Sequence, residues 1–289
     1  MADLWEGLCG QPPIFDGLIQ PFPGKAGTDV LRLDRIDSQL SGNKLFKLLG
    51  HLLRWQESGA ETLLSFGGRW SNHLHALAFA SQRLNIPVVA MVQGYPAQPL
   101  TATLQDCVTA GMKLVFCNRR EYARRYDAVW RAELAEAYGA WVIPEGGDGP
   151  EGEYGFSLLA ETVRAYDEVW LAAGTGTTAR GLAAQMTSTQ SLNVINAVAD
   201  QGALFRASQL WRTEARVQIL DDFHEGGFGR ASDDLLQLIH LYDAEGLPLD
   251  PVYTAKVATA LSARSLPPGR RRLMIHTGGL QGRRGFQGL

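Results

Sequence analysis

Short apolar runs alternate with amphipathic stretches along most of the chain, and this alternation limits the fold more than any other sequence feature. Runs such as ETLLSF, IPVVAMV, MKLVFC, DEVWLAA and LNVINAVA have the length of buried strands. Stretches with helical spacing of apolar residues lie between them. Strands that alternate with helices form parallel sheets covered by helices. The sequence therefore predicts an α/β protein with open, twisted and mostly parallel sheets.

The length of the chain bears on its division into domains. A chain of 289 residues, 45% of them hydrophobic, can bury one large core or two moderate ones, and two lobes are expected. The strand and helix pattern predicts a small α/β domain at residues 48–155, inserted into a larger domain formed by residues 1–47 and 156–289. Within the small domain, the stretch REYARRYDAVWRAELAEAYG predicts one long helix.

Charge, cysteine content and the chain start narrow the classes of function. A net charge of −3 and a pI near 6.1 give no electrostatic reason to expect a nucleic-acid partner. The arginines at 270–272 are assigned to a solvated turn. Three cysteines without a CxxC pair or a Cys/His cluster predict a reduced compartment and no metal site. Because no signal peptide or membrane span is recognised, we expect a cytoplasmic protein with no membrane partner.

A glycine-threonine loop, GTGTT at residues 174–178, lies between a predicted strand and a predicted helix. Glycines let the backbone approach a ligand, free N–H groups at a helix start favour an anion, and the hydroxyls add donors. The loop is therefore predicted to bind a phosphate group, rather than to be an ordinary tight turn. It also fits a relaxed dinucleotide fingerprint with Asp200 as the ribose ligand. A P-loop is excluded because no Gly-Lys-Ser/Thr ending follows.

Lys44 opens the apolar helix predicted in SGNKLFKLLGHLLRW. The positive end of a helix disfavours an ammonium group and so favours the neutral amine. Pyridoxal phosphate needs a neutral lysine amine that can attach to its aldehyde and can then move protons. Lys47 lies one turn further along and gains less from the helix dipole. Lys44 alone could be a solvated residue, but with a phosphate loop in the same chain it is a candidate cofactor ligand.

Five motifs occur in an order that resembles the 1-aminocyclopropane-1-carboxylate deaminase/D-cysteine desulfhydrase family. They are SGNKLFKL, SFGGRWSNHLHALA, AAGTGTTARG, LDPVYTAK and IHTGG, and they span roughly residues 30–280. The family consists of fold-type II pyridoxal-phosphate enzymes related to the tryptophan synthase β subunit. The resemblance implies a two-lobed fold, pyridoxal 5'-phosphate as cofactor, a small amino acid as substrate, and a homodimer.

The resemblance also implies roles for matching residues. Lys44 would hold the cofactor as an imine, Asn72 would bind the oxygen of its ring, and Thr277 would lie beside its ring nitrogen. Ser71, Asn72 and His73 would bind the substrate carboxylate, and Ser71 could be an ordinary N-cap as well. His73 and His75 could equally be exposed helix residues. The phosphate would be held by Gly174, Thr175, Gly176, Thr177 and Thr178.

Two further positions bear on the reaction. Tyr253 matches a family tyrosine that faces the substrate, and it is a catalytic candidate with Lys44 and Ser71, although it could instead be a packing residue. Met274 stands where the deaminases are expected to have a second catalytic tyrosine, so ring opening of a cyclopropane by that route is disfavoured.

The sequence predicts a pyridoxal-phosphate-dependent lyase or deaminase that eliminates a β-leaving group and forms a 2-oxo acid and ammonia, as in D-cysteine desulfhydration. Deamination of 1-aminocyclopropane-1-carboxylate is the alternative, and racemase or β-replacement activity stays open. A nicotinamide-dependent oxidoreductase using Asp200 and a non-catalytic cofactor-binding protein are the two other classes.

Overall fold

The computed structural model describes residues 1–11 and 14–289, and it shows the α/β architecture predicted from the sequence. The strands are β1 (Ile19–Pro21), β2 (Thr28–Arg32), β3 (Thr62–Gly67), β4 (Val88–Gln93), β5 (Lys113–Cys117), β6 (Ala140–Ile143), β7 (Glu168–Ala173), β8 (Ser191–Asn196), β9 (Arg216–Leu220) and β10 (Arg272–His276). The helices are α1 (Ala2–Cys9), α2 (Asn43–Ser58), α3 (Asn72–Leu84), α4 (Ala102–Thr109), α5 (Arg119–Ala123), α6 (Ala128–Tyr138), α7 (Pro150–Tyr154), α8 (Ala160–Arg164), α9 (Thr177–Ala183), α10 (Ala203–Ser208), α11 (Asp233–Ala244) and α12 (Thr254–Ser262).

The chain divides into two compact units. Unit 1 contains Asp37–Gly155 with the N-terminal helix and Arg284–Gly288, and unit 2 contains Ile14–Ile36 and Phe156–Arg283. These limits differ from the division drawn at residues 48 and 155. Helix α2 runs without interruption from Asn43 to Ser58, so a boundary at residue 48 would cut through it.

Unit 1 contains a four-stranded parallel sheet in the order β5-β4-β3-β6. Helix α2 lies close to α7 because Gly50 has no side chain: a Cβ there would lie 2.0 Å from the Glu151 carbonyl oxygen. Gly155 allows a similar approach to the Phe46 carbonyl, 2.1 Å from its own ideal Cβ position. Glycines at these two contacts therefore fix how the lysine-bearing helix α2 packs in unit 1.

Unit 2 contains a six-stranded sheet in the order β1-β2-β10-β7-β8-β9, in which only the β1–β2 pair is antiparallel. Its apolar core packs α11 and α12 against side chains such as Trp170, Ile195 and Met274. Strands β7 and β10 are parallel neighbours, so the residues that follow them emerge at the same edge of the sheet. The glycine-threonine loop and Thr277 are brought to one edge in this way.

Two sequence predictions about local structure were wrong. Residues 119–138 form two helices rather than one, because Asp127 is extended and its side chain accepts a hydrogen bond from the Val129 N–H, which starts a new helix. Arg272 does not lie in a solvated turn: it is a buried residue of β10. Its guanidinium bonds Glu168 at 2.8 Å and lies over the ring of Trp170.

None of the helices in the described part of the chain has the length and apolarity that a bilayer crossing requires.

Candidate active site

Helix α2 places Lys44 at its second residue, as the sequence predicted. Gly42, with φ +76°, turns the chain into the helix without a side-chain cap. Lys44 is half-buried, whereas Lys47 is almost fully buried and its Nζ donates to the Gly146 carbonyl at 3.1 Å. The helix therefore presents two lysines of different exposure in unit 1.

The start of helix α3 follows β3 through a tight glycine turn. Ser71 is the N-cap, and its Oγ accepts a hydrogen bond from the Leu74 N–H at 3.2 Å. A Cβ at Gly67 would lie 2.7 Å from Ser71 Oγ and 2.6 Å from Leu74 Cγ. Glycine at this position is thus required for the cap to reach its place, and it fixes the residues that open α3.

His73 and His75 are both buried, so the alternative that they are exposed helix residues was wrong. The His73 ring is held by Ser65, a fully buried residue of β3. Ser65 Oγ donates its only proton to the Ile143 carbonyl at 2.8 Å, so it accepts from His73 Nε2–H, also at 2.8 Å. His73 therefore carries a proton on Nε2, and in a neutral ring its Nδ1 is a hydrogen-bond acceptor.

The electrostatics agree with a neutral ring. Burial lowers the pKa of His73 well below its ordinary value, and the nearby positive charges of Lys44 and Lys47 lower the pKa further. Burial likewise lowers the pKa of His51, one turn beyond Lys47, to about 4. Lys44 and Lys47 thus lie near imidazoles that stay uncharged at neutral pH.

Two buried polar atoms at the start of α3 have no hydrogen-bond partner within residues 1–11 and 14–289. They are Oδ1 of Asn72 and Nδ1 of His73. Unpaired buried polar atoms are costly and rare in folded proteins, so they are expected where a ligand or solvent completes the bonding. Both atoms are acceptors, so Asn72 and His73 fit a site for a polar ligand that donates hydrogen bonds, such as a ring hydroxyl of the cofactor or the amino group of a substrate.

In unit 2, the glycine-threonine loop connects β7 to α9. Gly176 has φ +82°, and a Cβ there would lie 2.8 Å from Leu204 Cδ1, so glycine is required at this position. Thr175 Oγ1 and Thr177 Oγ1 are 2.9 Å apart and share a hydrogen bond. Thr177 and Thr178 are buried. The loop has the small residues and hydroxyl groups that the predicted phosphate site needs.

Tyr253 lies against this loop, which the sequence alone did not show. Its Oη is 3.2 Å from the position that a Cβ would occupy at Gly174. The backbone N–H of Tyr253 donates to Asp250 Oδ1 at 2.8 Å, and the Thr254 N–H donates to Oδ2. Burial raises the pKa of Asp250 to about 6. Asp250 therefore fixes the backbone that carries the tyrosine hydroxyl to the loop.

Thr277 is buried directly after β10, beside a fixed histidine. The Pro248 carbonyl can only accept, so His276 Nε2–H donates to it, at 2.7 Å. Nδ1 of His276 accepts from the Gly278 N–H and lies 3.1 Å from Asp34, which Arg32 binds through two hydrogen bonds. The residues on both sides of Thr277 are thus held in place.

Met274 and Asp200, the positions that bear on the alternative functions, have defined surroundings in the structure. The Met274 side chain is fully buried in the core of unit 2. Asp200 accepts from Asn196 and from the N–H groups of Ala203 and Leu204, so its oxygens cap α10. An aspartate with these bonds has a structural role. This argues against a nicotinamide-dependent oxidoreductase, in which Asp200 would bind the ribose.

Sequence reasoning missed Ser65, Asp250 and the burial of Lys47. The serine could have been noticed as a hydroxyl between the apolar residues of the run LLSF, and Asp250 as the start of the DPVYT turn. Their roles depend on which groups the fold places beside them.

The loop in unit 2 has the glycines and hydroxyls that suit a phosphate, and unit 1 has a half-buried Lys44 of the kind that an aldehyde cofactor needs. A family model described as pyridoxal-phosphate dependent enzyme matches residues 30–278. The chain belongs to this family, uses pyridoxal phosphate, and has the fold-type II architecture that the sequence motifs implied.

Individual relatives agree with this assignment. A Thermotoga maritima protein provisionally named 1-aminocyclopropane-1-carboxylate deaminase is 30% identical, with 84% of this chain and 85% of that protein covered. A D-cysteine desulfhydrase of Klebsiella pneumoniae is 26% identical, with 86% of each chain covered. The crystal structure of a 1-aminocyclopropane-1-carboxylate deaminase homologue has the same fold, with a TM-score of 0.71 at 24% identity over 89% of this chain and 85% of that one.

Proposed function

We propose that this enzyme removes a β-leaving group and the amino group from a small amino acid, with D-cysteine as the leading substrate. In that reaction D-cysteine and water give pyruvate, ammonia and hydrogen sulfide. The observation that carries the proposal is the pair of unpartnered acceptors, Asn72 Oδ1 and His73 Nδ1, in the same unit as Lys44. The relatives named D-cysteine desulfhydrase support the choice of substrate.

When bound, the cofactor supplies an aldehyde that condenses with amines and a ring that withdraws electrons from the α-carbon. We assign Lys44 to hold it and to move a proton at the α-carbon of the substrate. The backbone N–H groups of Ser71, Asn72 and His73 and the Ser71 hydroxyl would donate to the substrate carboxylate, and the side-chain N–H of Asn72 would donate to the ring oxygen of the cofactor. The phosphate would be held by Gly174, Thr175, Gly176, Thr177 and Thr178.

Two residues of unit 2 complete the assignment. Thr277 would lie beside the ring nitrogen, where a hydroxyl stabilises a fully protonated ring less than a carboxylate does. Tyr253 would supply a hydroxyl near the phosphate loop and face the substrate. Exchange of Thr277 for Glu is expected to change the absorbance of the bound cofactor and the ratio of products.

Deamination of 1-aminocyclopropane-1-carboxylate is a second candidate, supported by the name of the Thermotoga maritima relative. Against it stands Met274, a thioether in the unit 2 core that cannot donate or accept a proton in catalysis. We also propose a homodimer, as the family resemblance implies, and a cytoplasmic location, which suits three cysteines that are all free.

The test combines cofactor mapping with a substrate panel. Protein purified with pyridoxal phosphate is reduced with borohydride, and its peptides are mapped for a phosphopyridoxyl lysine. A label on Lys44, lost in Lys44→Ala but kept in the exposed-lysine control Lys113→Ala, is expected. A label on another lysine would refute the assignment.

Sulfide and 2-oxo acid release are then measured with D-cysteine, L-cysteine, D-serine and 1-aminocyclopropane-1-carboxylate. Sulfide and pyruvate from D-cysteine at the highest kcat/KM support the proposal. Faster release of 2-oxobutanoate from the cyclopropane substrate would replace it with the second candidate.

A further inference from the structure

Lys256, the lysine of the LDPVYTAK motif, is fully buried in unit 2 and has no part in the proposed chemistry. Its Nζ donates to the carbonyl oxygens of His224 at 2.9 Å, Gly227 at 3.1 Å and Ala197 at 3.4 Å. An ammonium group has three protons and no acceptor, so three carbonyls match its bonding capacity. In the described part of the chain, every hydrogen bond that it makes is to backbone.

This environment is that of a coordinated cation rather than that of an ion pair. Burial lowers the pKa of Lys256, while the negative charges of Asp250 and Glu225 oppose that change. A buried charge is tolerated only where polar groups replace its water. Here the dipoles of three converging carbonyls replace it.

The three carbonyls come from parts of unit 2 that are separate in sequence. Ala197 follows β8, whereas His224 and Gly227 belong to the segment at residues 221–232, which joins β9 to α11 and contains no helix or strand. Positive φ angles occur in this segment at 225, 226, 227 and 229. A segment with so little regular hydrogen bonding depends on other contacts for its conformation, and the Lys256 ammonium provides two of them.

The same segment touches a proposed catalytic residue. Phe228, next to Gly227, packs edge-on against the ring of Tyr253, with ring centroids 6.2 Å apart. Tyr253 is also the N-cap of α12, the helix that contains Lys256. The ammonium therefore connects the helix that begins after Tyr253 with the segment that packs against the tyrosine ring.

We propose that Lys256 is a built-in cation: its ammonium occupies a site of three backbone carbonyls, and it positions Tyr253 by holding residues 221–232 in place. Truncating the side chain then leaves an empty site that accepts a small monovalent cation from solution. The link to Tyr253 rests on the proposed function, whereas the cation site does not.

The test compares Lys256→Ala, which opens the site, with Lys256→Met, which fills it with an apolar chain of similar length. The control is Lys25→Ala, because Lys25 donates to the Ser262 carbonyl at the end of the same helix through a solvent-exposed hydrogen bond. Hydrogen exchange of peptides covering residues 221–232 and the thermal unfolding midpoint are measured in n-propylammonium, potassium or tetramethylammonium chloride. The n-propylammonium ion replaces the atoms that the Ala variant lacks.

In both Lys256 variants, exchange in this segment is expected to be roughly tenfold faster or more. Protection returns in Lys256→Ala with n-propylammonium but not with the bulky tetramethylammonium, and Lys256→Met does not recover with either. Wild type and Lys25→Ala are insensitive to the cation. The proposal would be overturned if Lys256→Met kept the wild-type protection from exchange. It would also be overturned if neither ammonium ion changed the protection in Lys256→Ala.

A measurement on the wild type keeps the test valid if the variants do not fold. With 15N-labelled lysine, an ammonium held by three carbonyls gives a slowly exchanging Nζ resonance with nuclear Overhauser contacts to the Gly227–Phe228 backbone. Absence of that resonance would overturn the cation site.

An activity assay then tests whether Lys256 positions Tyr253. The kcat of Lys256→Ala is expected to fall more than its KM changes, and to rise again with n-propylammonium. If the enzyme does not act on D-cysteine, the exchange and resonance measurements still decide the cation site, so the two proposals fail separately.

Discussion

Ser65→Ala is expected to destabilise unit 1 far more than the removal of one oxygen atom elsewhere. Ser65 is fully buried, and its Oγ makes two hydrogen bonds of 2.8 Å, one with His73 Nε2 and one with the Ile143 carbonyl. After the substitution, both partners stay buried without a bond. An unsatisfied buried polar group costs about 1–3 kcal/mol, so for the two partners we expect a loss of about 2–6 kcal/mol.

The chain offers a matched control in the same unit. Ser81 is 1% exposed, and its Oγ has no hydrogen-bond partner in the described residues. Ser81→Ala removes the same atom at the same burial but leaves no partner behind. Its effect is therefore expected to lie within about 0.5 kcal/mol of zero, or to be slightly stabilising.

Urea unfolding followed by tryptophan fluorescence and far-UV circular dichroism measures the difference. With a slope of roughly 2 kcal/mol per molar urea, the midpoint for Ser65→Ala should fall by about 1–3 M, and that for Ser81→Ala by under about 0.3 M. Equal shifts in the two variants would refute the reasoning, because the loss would then follow burial and not hydrogen bonding.

Three further outcomes are expected. His51 has a folded-state pKa of about 4 against an ordinary value of 6.5, so its unfolded form binds more protons between these values. Its contribution to stability, about 3 kcal/mol, is complete above pH 6.5 and lost as the pH falls to 4; a pH series of urea midpoints should become flatter in His51→Gln. Gly176→Ala should weaken cofactor binding at least about tenfold in a fluorescence titration, whereas Gly24→Ala, with φ +71° but open space around it, should bind normally. Tyr253→Phe should lower kcat by about 10²-fold in the sulfide assay with its fold intact, while Tyr242→Phe, which loses only a bond to Ser262, should keep full activity.

The sequence determined the elements of this protein and the identity of its cofactor. The spacing of apolar residues and the length of apolar runs predicted the parallel α/β class. The starts of α2 and α3 were placed correctly because Asn43 and Ser71 follow turn residues and precede apolar stretches with helical spacing. Five motifs predicted the pyridoxal-phosphate family, which the match over residues 30–278 confirmed. Such signals are local, since a strand, a cap or a glycine turn depends on neighbouring residues.

Only the tertiary structure decided what the buried polar groups do. The tautomer of His73 depends on a chain of bonds through Ser65 to Ile143, which is distant in sequence, and Lys256 meets carbonyls from residues 197, 224 and 227. The spacing of residues along the chain does not identify these partners, because the same lysine or histidine can be surrounded by water or by backbone groups. The single helix predicted across residues 120–138 was wrong because Asp127 could continue a helix or cap a new one, and in the structure it caps a new one.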